Sequence, residues 1–581
     1  MPVAQERSAV NKAILHRDAL IGAALFIATM GFCLWQNSRI AVLWDLSYLL
    51  DSSWRISLGQ LPYRDFPFAH APGTFLLHVL LIKVFGRVYW THIACAALES
   101  AAATILAWRI LLRIFLPLQA ATSWTAASLA ATLIPLGIYS IYPHAIYDGD
   151  AIFTVLLALY LVTRAAEQWD ESPSAVHAGA ATRNILAGAA CVVPVFFKQN
   201  IGLAFLAAVL FAVVLVILTR RLHNRPIAPQ LWFLIGLFAA LLAAIFTIHA
   251  TVGLANYRYW TMTFAASRRL PGIATILGVY HQASLLWTIP AALGGFALLR
   301  TRSLRGKLWS RILALLLLTA PFLWTMLACF FNSDPDDRAD QFLSLWLHLL
   351  VLATILAIAQ VTRFARARAS ALAALLPIFL LATIHGTFLS QQLWGSTYSI
   401  WPLLIVLIAL LLLEVREIAA PLAATIAVTL LLCGSLYAIS LERLDYIHLD
   451  GAISRSSLPA LRGITTPGPW LSNFENLVRF AGKSIPKTDG IVLIPGEEPF
   501  YFTTGRTPQF PILLTDRATD PYTPQQTAAE MRAHNIRWLI LKRDLQLTAP
   551  PEYETPELLQ AVQHDFVLYR QLPGYNVYRR K

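Results

Sequence analysis

Side chains able to move a proton or hold an anion are rare in this chain, and several stand where apolar runs end. Asp45 directly follows the first apolar run. Asp148 and Asp150 flank a glycine before another run, and Lys198 interrupts a third. A partly desolvated carboxylate can accept a proton from a hydroxyl group, and a buried ammonium group needs an anion beside it. These residues are therefore the first candidates for chemistry.

Several of these side chains also have a second interpretation. Asp45 can cap the first span, or pair with Arg39 or Arg55, instead of acting as a base. The spacing of Asp148 and Asp150 suits Mg²⁺ or Mn²⁺, but either residue can simply cap the next helix. Lys198 can bind a phosphate or extend its ammonium group to the interface.

The composition indicates the environment that positions these residues. The chain has 581 residues, of which 57% are hydrophobic and 13% charged, whereas soluble domains carry about 25% charged residues. We therefore expect an integral membrane protein. The net charge of +13 is explained by Arg and Lys in loops on the cytoplasmic side, so we expect no nucleic-acid partner.

Apolar runs and basic loops predict a topology. Runs of membrane-spanning length give about 13 spans, and Arg residues fall in every second loop between them. This alternation places the N-terminus in the cytoplasm. It places loop 39–87, the Asp148 loop and the Lys198 turn outside, together with Arg55, Arg64 and Arg258. We expect a multi-spanning domain over 1–440 and an outside domain over 441–581.

The outside domain has the pattern of a small α/β fold. GIVLIP (490–495) and RWLILK (537–542) are short runs rich in β-branched and apolar residues. Thr523-Pro524 and Thr555-Pro556 predict helix starts, and Pro573-Gly574 predicts the turn of a closing hairpin. The predicted fold class is thus a polytopic α-helical membrane protein with a C-terminal soluble α/β domain.

The stretch after the first span has a recognisable order of motifs. It reads Trp44-Asp45, then SLGQLPYRDF (57–66), then Ala71-Pro72-Gly73, then an apolar run ending in Val84-Phe85-Gly86. FFKQN (196–200) follows further on. This order resembles the GT-C glycosyltransferases that use polyprenyl-phosphate sugars, similar to protein O-mannosyltransferases and the lipid A aminoarabinose transferase. Leu46 and Ala71 depart from the family pattern, which often has Glu and Pro there.

The resemblance implies roles for the residues named above. Asp45 would match the catalytic base, Asp148 and Asp150 a divalent cation site for Mg²⁺ or Mn²⁺, and Lys198 a ligand of the lipid phosphate. Of the outside arginines, we expect Arg55, Arg64 and Arg258 to assist Lys198.

The resemblance also implies an activity. We expect an inverting glycosyltransferase that moves a sugar from a polyprenyl-phosphate donor to a glycan, lipid or protein acceptor at the periplasmic face of a bacterial inner membrane. The alternatives are a transporter or flippase of lipid-linked sugars and an inactive GT-C-like scaffold subunit. Transporters often contain internal repeats and polar residues at the membrane midplane. We find no repeat, and the polar residues gather at one face, which favours an enzyme.

Overall fold

The computed structural model describes residues 2–116, 122–142, 144–169, 178–304, 306–390, 398–440, 442–444, 446–515, 519–548 and 555–581. Most of the chain before residue 440 is helical, as its long apolar runs predict. The helices of this part, in chain order, are α1 (Pro2–Asn37), α2 (Leu43–Ser57), α3 (Gly73–Phe85), α4 (Tyr89–Ile114), α5 (Thr122–Ala131), α6 (Leu133–Leu136), α7 (Tyr147–Trp169), α8 (Ala178–Ala190), α9 (Gln199–Leu222), α10 (Ala228–Thr251), α11 (Leu254–Arg258), α12 (Ala265–Arg269), α13 (Ile273–Gly278), α14 (Leu285–Arg300), α15 (Leu308–Phe331), α16 (Pro335–Ala365), α17 (Ala371–Thr387), α18 (Trp401–Leu413) and α19 (Ala419–Ile439).

Within the described residues, nine helical segments are long and apolar enough to cross a membrane, and α14, α17 and α18 are shorter apolar helices. The prediction of a polytopic helical membrane protein is confirmed. The expected span over 273–299 is instead two helices, α13 and α14, because the polar pair His281-Gln282 lies between them. The expected span 118–139 begins outside the described residues and continues as α5 and α6.

Close helix packing in the bundle depends on small residues. A Cβ atom added to Gly188 in α8 would lie 2.0 Å from the carbonyl oxygen of Phe233 in α10. A Cβ atom on Gly236 would lie 2.0 Å from the carbonyl oxygen of Ile185. Membrane helices gain little hydrophobic energy by associating, so close backbone approach supplies much of their attraction. These two glycines let α8 and α10 approach to backbone contact.

The described residues of the C-terminal part form an α/β domain with six strands and four α-helices. Its elements are β1 (Ile453–Arg455), β2 (Thr465–Pro467), α20 (Trp470–Ser484), β3 (Gly490–Ile494), α21 (Phe500–Thr504), α22 (Pro524–Ala533), β4 (Ile536–Lys542), α23 (Thr555–Val562), β5 (Phe566–Leu572) and β6 (Tyr575–Arg580). β1 pairs with β2, and the main sheet has the order β3-β4-β6-β5, in which only β3 and β4 are parallel. The predicted strands, helix starts and hairpin are confirmed.

Alternate residues of the main sheet face two different layers. Val492 and Leu539 pack in a cluster with residues of α22 and α23. Ile491 and Trp538 point the other way, into a cluster with residues of α20. Leu43, Leu46 and Leu50 of α2 belong to that second cluster. The segment between α1 and α4 therefore contributes a helix to the layer that covers the soluble domain, because α2 carries its apolar side chains at helical spacing.

We expect Gly236→Ala to lower the thermal midpoint of the purified protein by several degrees, since the added methyl group must push α8 and α10 apart. Gly31→Ala is the matched control, because a Cβ atom there meets nothing within 4 Å. Ala is favoured over Gly in a helix by about 1 kcal/mol, so the control should be neutral or slightly stabilising. Equal midpoints for both variants would contradict the close contact.

Candidate functional site

Asp45 lies in the first turn of α2, directly outside the membrane end of α1. Its side chain is half-buried and accepts a hydrogen bond from the hydroxyl of Tyr142. Burial, and then the nearby Asp45 carboxylate, raise the pKa of Tyr142 well above its usual value. Tyr142 therefore stays protonated and remains a hydrogen-bond donor. Tyr446 is close enough to interact electrostatically with Asp45 and to hydrogen-bond with the Tyr142 hydroxyl.

Two side chains from distant parts of the sequence fix the start of this helix. His144 accepts a hydrogen bond from the Val42 amide through Nε2, at 2.9 Å. Gln546 accepts one from the Leu43 amide through Oε1, at 2.8 Å. Burial, with Arg443 nearby, lowers the pKa of His144 to about 3, so the ring is neutral and able to accept. Both contacts satisfy amides that a helix start leaves without intrahelical partners.

Gln546 belongs to a fully buried polar network of the soluble domain. Its Nε2 donates to the Ala41 carbonyl at 2.9 Å and to the Thr466 hydroxyl at 3.0 Å. The carboxylate of Glu497 accepts a hydrogen bond from the backbone amide of Gln546 at 2.8 Å. Glu497 and Lys542 form a buried ion pair. The position of Asp45 therefore depends on residues about 500 positions further along the chain.

Two further polar residues of α2 join this helix to the soluble domain. Asp51 is buried, and its carboxylate accepts from the amides of Tyr501, at 3.1 Å, and Phe502, at 2.7 Å. Its partners are thus backbone amides at the start of α21. Arg55 is buried too, and its Nη1 donates to the carbonyls of Phe510, at 2.9 Å, and Pro511, at 2.6 Å.

The expected phosphate-binding arginines do not meet at Lys198. The Arg55 guanidinium is engaged with the soluble domain and stacks over Phe66, 4.2 Å from the ring centre. Arg64 is exposed and pairs with Asp65 at 2.8 Å. Arg258 is exposed at the end of α11. The described donors of Arg55 bind Gln60 and two backbone carbonyls of the soluble domain.

Lys198 is buried at the N-terminus of α9, 8% exposed, and forms an ion pair with Asp148. Its ammonium group also lies over the Tyr147 ring, 5.0 Å from the centre. A cavity of about 250 Å³ opens beside it, with mostly apolar walls. Gln199 crosses the rim and donates to the carbonyls of Ala69 and Thr261. This corner combines a cation, a helix N-terminus and an apolar space.

The carboxylates of Asp148 and Asp150 have different partners. Asp150 is buried and accepts from Thr74, at 2.5 Å, and from Tyr139, and its carboxyl group hydrogen-bonds with Glu99. Asp148 forms an ion pair with Lys198. Among the described residues, no three His, Cys, Asp or Glu side chains gather as metal ligands. In contrast to the prediction, Asp148 and Asp150 do not form a Mg²⁺ or Mn²⁺ site with other described residues.

A row of aromatic side chains connects Asp45 with Lys198. Tyr48, one turn after Asp45, hydrogen-bonds with Nδ1 of His70 at 2.8 Å. The ring centres of His70 and Tyr147 are 4.6 Å apart, and Tyr147 lies against Lys198. Pairwise contacts of Tyr48, His70 and Tyr147 therefore link the turn of α2 that follows Asp45 to Lys198.

The wall opposite Lys198 contains an unusual helical stretch. Residues Tyr259–Phe264, between α11 and α12, form a π-helix, a form that is frequent at functional sites. The carbonyl of Thr261 in this stretch accepts the hydrogen bond from Gln199 at 3.2 Å. Thr261 and Met262 line the cavity. The π-helix thus supplies both a backbone acceptor and an apolar wall.

Comparisons with solved structures give matches over most of the chain. ArnT from Cupriavidus metallidurans, solved bound to undecaprenyl phosphate, is 13% identical with a TM-score of 0.47, and covers 97% of this chain and 98% of its own. The Archaeoglobus fulgidus oligosaccharyltransferase in the apo form is 12% identical with a TM-score of 0.47, covering 90% and 69%. The Archaeoglobus fulgidus oligosaccharyltransferase AglB, with an inhibitory peptide and a dolichol-phosphate, is 11% identical with a TM-score of 0.42, covering 90% and 69%.

These structures are of the GT-C class that the first outside loop resembles. No family model matches the sequence, and no curated protein matches it significantly.

We expect Gln546→Ala to speed hydrogen exchange at the Leu43 amide and its neighbours by about tenfold, since net hydrogen-bond contributions are about 1 kcal/mol each. Gln546→Glu keeps the acceptor for Leu43 but loses both donated bonds. Its exchange rate at the Leu43 amide should therefore fall between those of the wild type and Gln546→Ala. Gln563→Ala, at an exposed site, is the control. Wild-type exchange at residues 43–47 in Gln546→Ala would show that Gln546 does not hold the helix start.

Proposed function

We propose that this chain is an inverting glycosyltransferase that moves a sugar from a polyprenyl-phosphate donor to a hydroxyl of a glycan, lipid or protein acceptor. One observation carries the proposal: Tyr48, His70 and Tyr147 link the helix turn after Asp45, a half-buried carboxylate, to Lys198, a buried cation beside an apolar cavity. The resemblance of the first outside loop to GT-C enzymes supports the same reaction class.

Asp45 is the proposed general base. A carboxylate is effective in this role when it is partly desolvated and within hydrogen-bond reach of the hydroxyl it deprotonates. The Tyr142 hydroxyl binds one oxygen, Oδ2, and orients the carboxylate. The helix start that carries Asp45 is fixed by His144 and Gln546, which limits the positions the base can adopt.

Lys198 is the proposed ligand of the donor phosphate. Its position at the N-terminus of α9 adds the partial positive charge of a helix start, where anions are favoured. Asp148 pairs with its ammonium group and holds it in place. The apolar walls of the adjoining cavity, which include Leu203, Met262 and Leu270, suit the first isoprene units of a polyprenyl chain.

The reaction is a single displacement at the anomeric carbon. The acceptor oxygen attacks that carbon as its proton passes to Asp45, and the bond between the carbon and the phosphate oxygen breaks. The electron pair leaves with the polyprenyl phosphate, whose negative charge Lys198 stabilises. Attack from the side opposite the phosphate inverts the configuration of the sugar.

We also propose the orientation. Basic loops alternate along the sequence, which favours a cytoplasmic N-terminus in a bacterial inner membrane, with Asp45, Lys198 and the soluble domain on the periplasmic side. Labelling of single cysteines at positions 45 and 198 with a membrane-impermeant reagent tests this orientation. Labelling of the two positions from opposite sides of the membrane would overturn the proposal.

Asp45→Asn should lower transfer by about 10²–10⁴-fold, the usual contribution of a general base. The thermal midpoint should not change, because Asn retains an oxygen that accepts from Tyr142. Sugar transfer from polyprenyl-phosphate-linked donors is measured in bilayer nanodiscs. Asp65→Asn, in the same outside segment, should keep wild-type transfer. Full transfer by Asp45→Asn would remove the base from the mechanism, while net sugar-lipid movement without transfer would favour the flippase.

Lys198→Gln should weaken binding of undecaprenyl phosphate by about 10–100-fold, since hydrogen bonds to charged groups contribute about 1.5–3 kcal/mol. Binding is measured on the full chain in nanodiscs. Lys83→Gln, an exposed lysine at the end of α3, removes the same charge elsewhere and should have little effect. Equal affinities for both variants would contradict a phosphate at Lys198.

A further inference from the structure

Arg443 is a buried cation that none of the roles described so far uses. It lies just after the end of α19 and is 1% exposed. Its Nε donates to the carbonyl of Ile141 at 2.8 Å, and its Nη1 donates to the carbonyl of Ser440 at 2.8 Å. Its Nη2 is buried and has no hydrogen-bond partner.

Two other buried arginines, Arg506 and Arg55, have more hydrogen-bond partners than Arg443. Arg506 uses Nη1 and Nη2 for three backbone carbonyls, at 2.6–2.9 Å. Arg55 uses Nη1 for two carbonyls and Nε for Gln60. No carboxylate among the described residues forms an ion pair with Arg443. Among the described residues, the partners of its guanidinium are thus two backbone carbonyl groups.

Arg443 belongs to the surroundings of Asp45. The Ile141 carbonyl that binds its Nε precedes Tyr142, whose hydroxyl donates to Asp45. The hydroxyl of Tyr446 is influenced electrostatically by Asp45 and by Arg443. The ring of Tyr398 stacks parallel to that of Tyr142 at 6.1 Å. Tyr398 and Tyr446 are half-buried, so the guanidinium lies one layer beneath the surface that surrounds the proposed base.

The charge balance around Arg443 favours a missing anion. A second cation, Arg39, is close enough to affect it: burial, and then Arg39, lower the pKa of Arg443 to about 10. The guanidinium is still charged at neutral pH. Leaving a charged group buried without an anion is costly, and folded proteins usually pair such groups. In contrast, the charge of Lys198 is already balanced by Asp148.

We propose that Arg443, with Arg39, binds an oxyanion of one of the two reactants beside Asp45, through the Nη2 donors of Arg443 that have no hydrogen-bond partner. The inference deepens the proposed function, on which its assignment to a reactant rests. The oxyanion is a phosphate or carboxylate, for which a guanidinium is the preferred ligand. It comes either from the donor phosphate or from an anionic group of the acceptor.

The experiment compares the wild type with Arg443→Gln and Arg443→Lys, as full chains in nanodiscs. Arg462→Gln, at an exposed arginine of the soluble domain, is the matched control. Two probes are used. The first is undecaprenyl phosphate, whose dissociation constant is measured. The second is inorganic phosphate, whose protection against thermal unfolding is measured against sodium chloride of equal ionic strength.

If the oxyanion is the donor phosphate, Arg443→Gln should weaken undecaprenyl phosphate binding tenfold or more, and Arg443→Lys should weaken it less. If the oxyanion belongs to the acceptor, binding of undecaprenyl phosphate should stay at the wild-type value while protection by inorganic phosphate is lost. The control should behave as the wild type in both assays. Wild-type results for Arg443→Gln with both probes would overturn the proposal.

A second measurement covers the case in which Arg443→Gln does not fold. Hydrogen exchange of the wild type is recorded with and without each probe. Slower exchange at residues 440–444 and 446 with either probe supports the site, and unchanged exchange there with both overturns it. Neither assay requires sugar transfer, so these outcomes are independent of whether Asp45→Asn retains transfer.

Discussion

The start of α2 is the constraint on which the candidate site depends. A helix start leaves backbone amides without intrahelical partners, and here the amides of Val42 and Leu43 are bound by His144 and Gln546. One of these side chains comes from a loop between membrane helices and the other from the soluble domain. Both domains therefore determine the position of Asp45, and neither can shift without moving it.

The distribution of charge follows the cost of burying it. Asp148 compensates Lys198, and Glu497 and Glu498 both contact Lys542 inside the soluble domain. Asp51 is satisfied by backbone amides, which explains how an acid with a pKa raised by burial to about 8 fits at a domain contact. Arg55, Arg506 and Arg443 are instead held by backbone carbonyl groups. Arg443 differs from the other two in having a buried Nη2 without a hydrogen-bond partner.

Much of the fold could be predicted from local patterns. The capping box at Thr523 and Gln526, which the structure confirms, and the hairpin turn at Gly574 are encoded within a few residues. The membrane helices follow from apolar length. The break at His281-Gln282 was missed because the run around it is long enough for one span, so length alone concealed two short helices.

The site was harder to predict because its contacts join residues far apart in the sequence. Asp45 and Lys198 stood out since a charge at the end of an apolar run is conspicuous. Gln546, Tyr142 and Arg443 carried no such signal: a glutamine in a polar domain and a tyrosine in a loop are common. Arg55 looked like a site residue by position, but its Nη1 binds backbone carbonyls of a distant segment.

The dependence of Asp45 on Gln546 has a consequence for the synthesis of the protein. The ribosome makes residue 45 early, whereas Gln546 emerges only after every membrane helix has been inserted. A nascent or truncated chain would therefore contain the carboxylate without the contact that fixes it. The start of α2 can therefore gain the Gln546 contact only after the soluble domain has been made, and loss of the segment around Gln546 would leave the Leu43 amide without that acceptor.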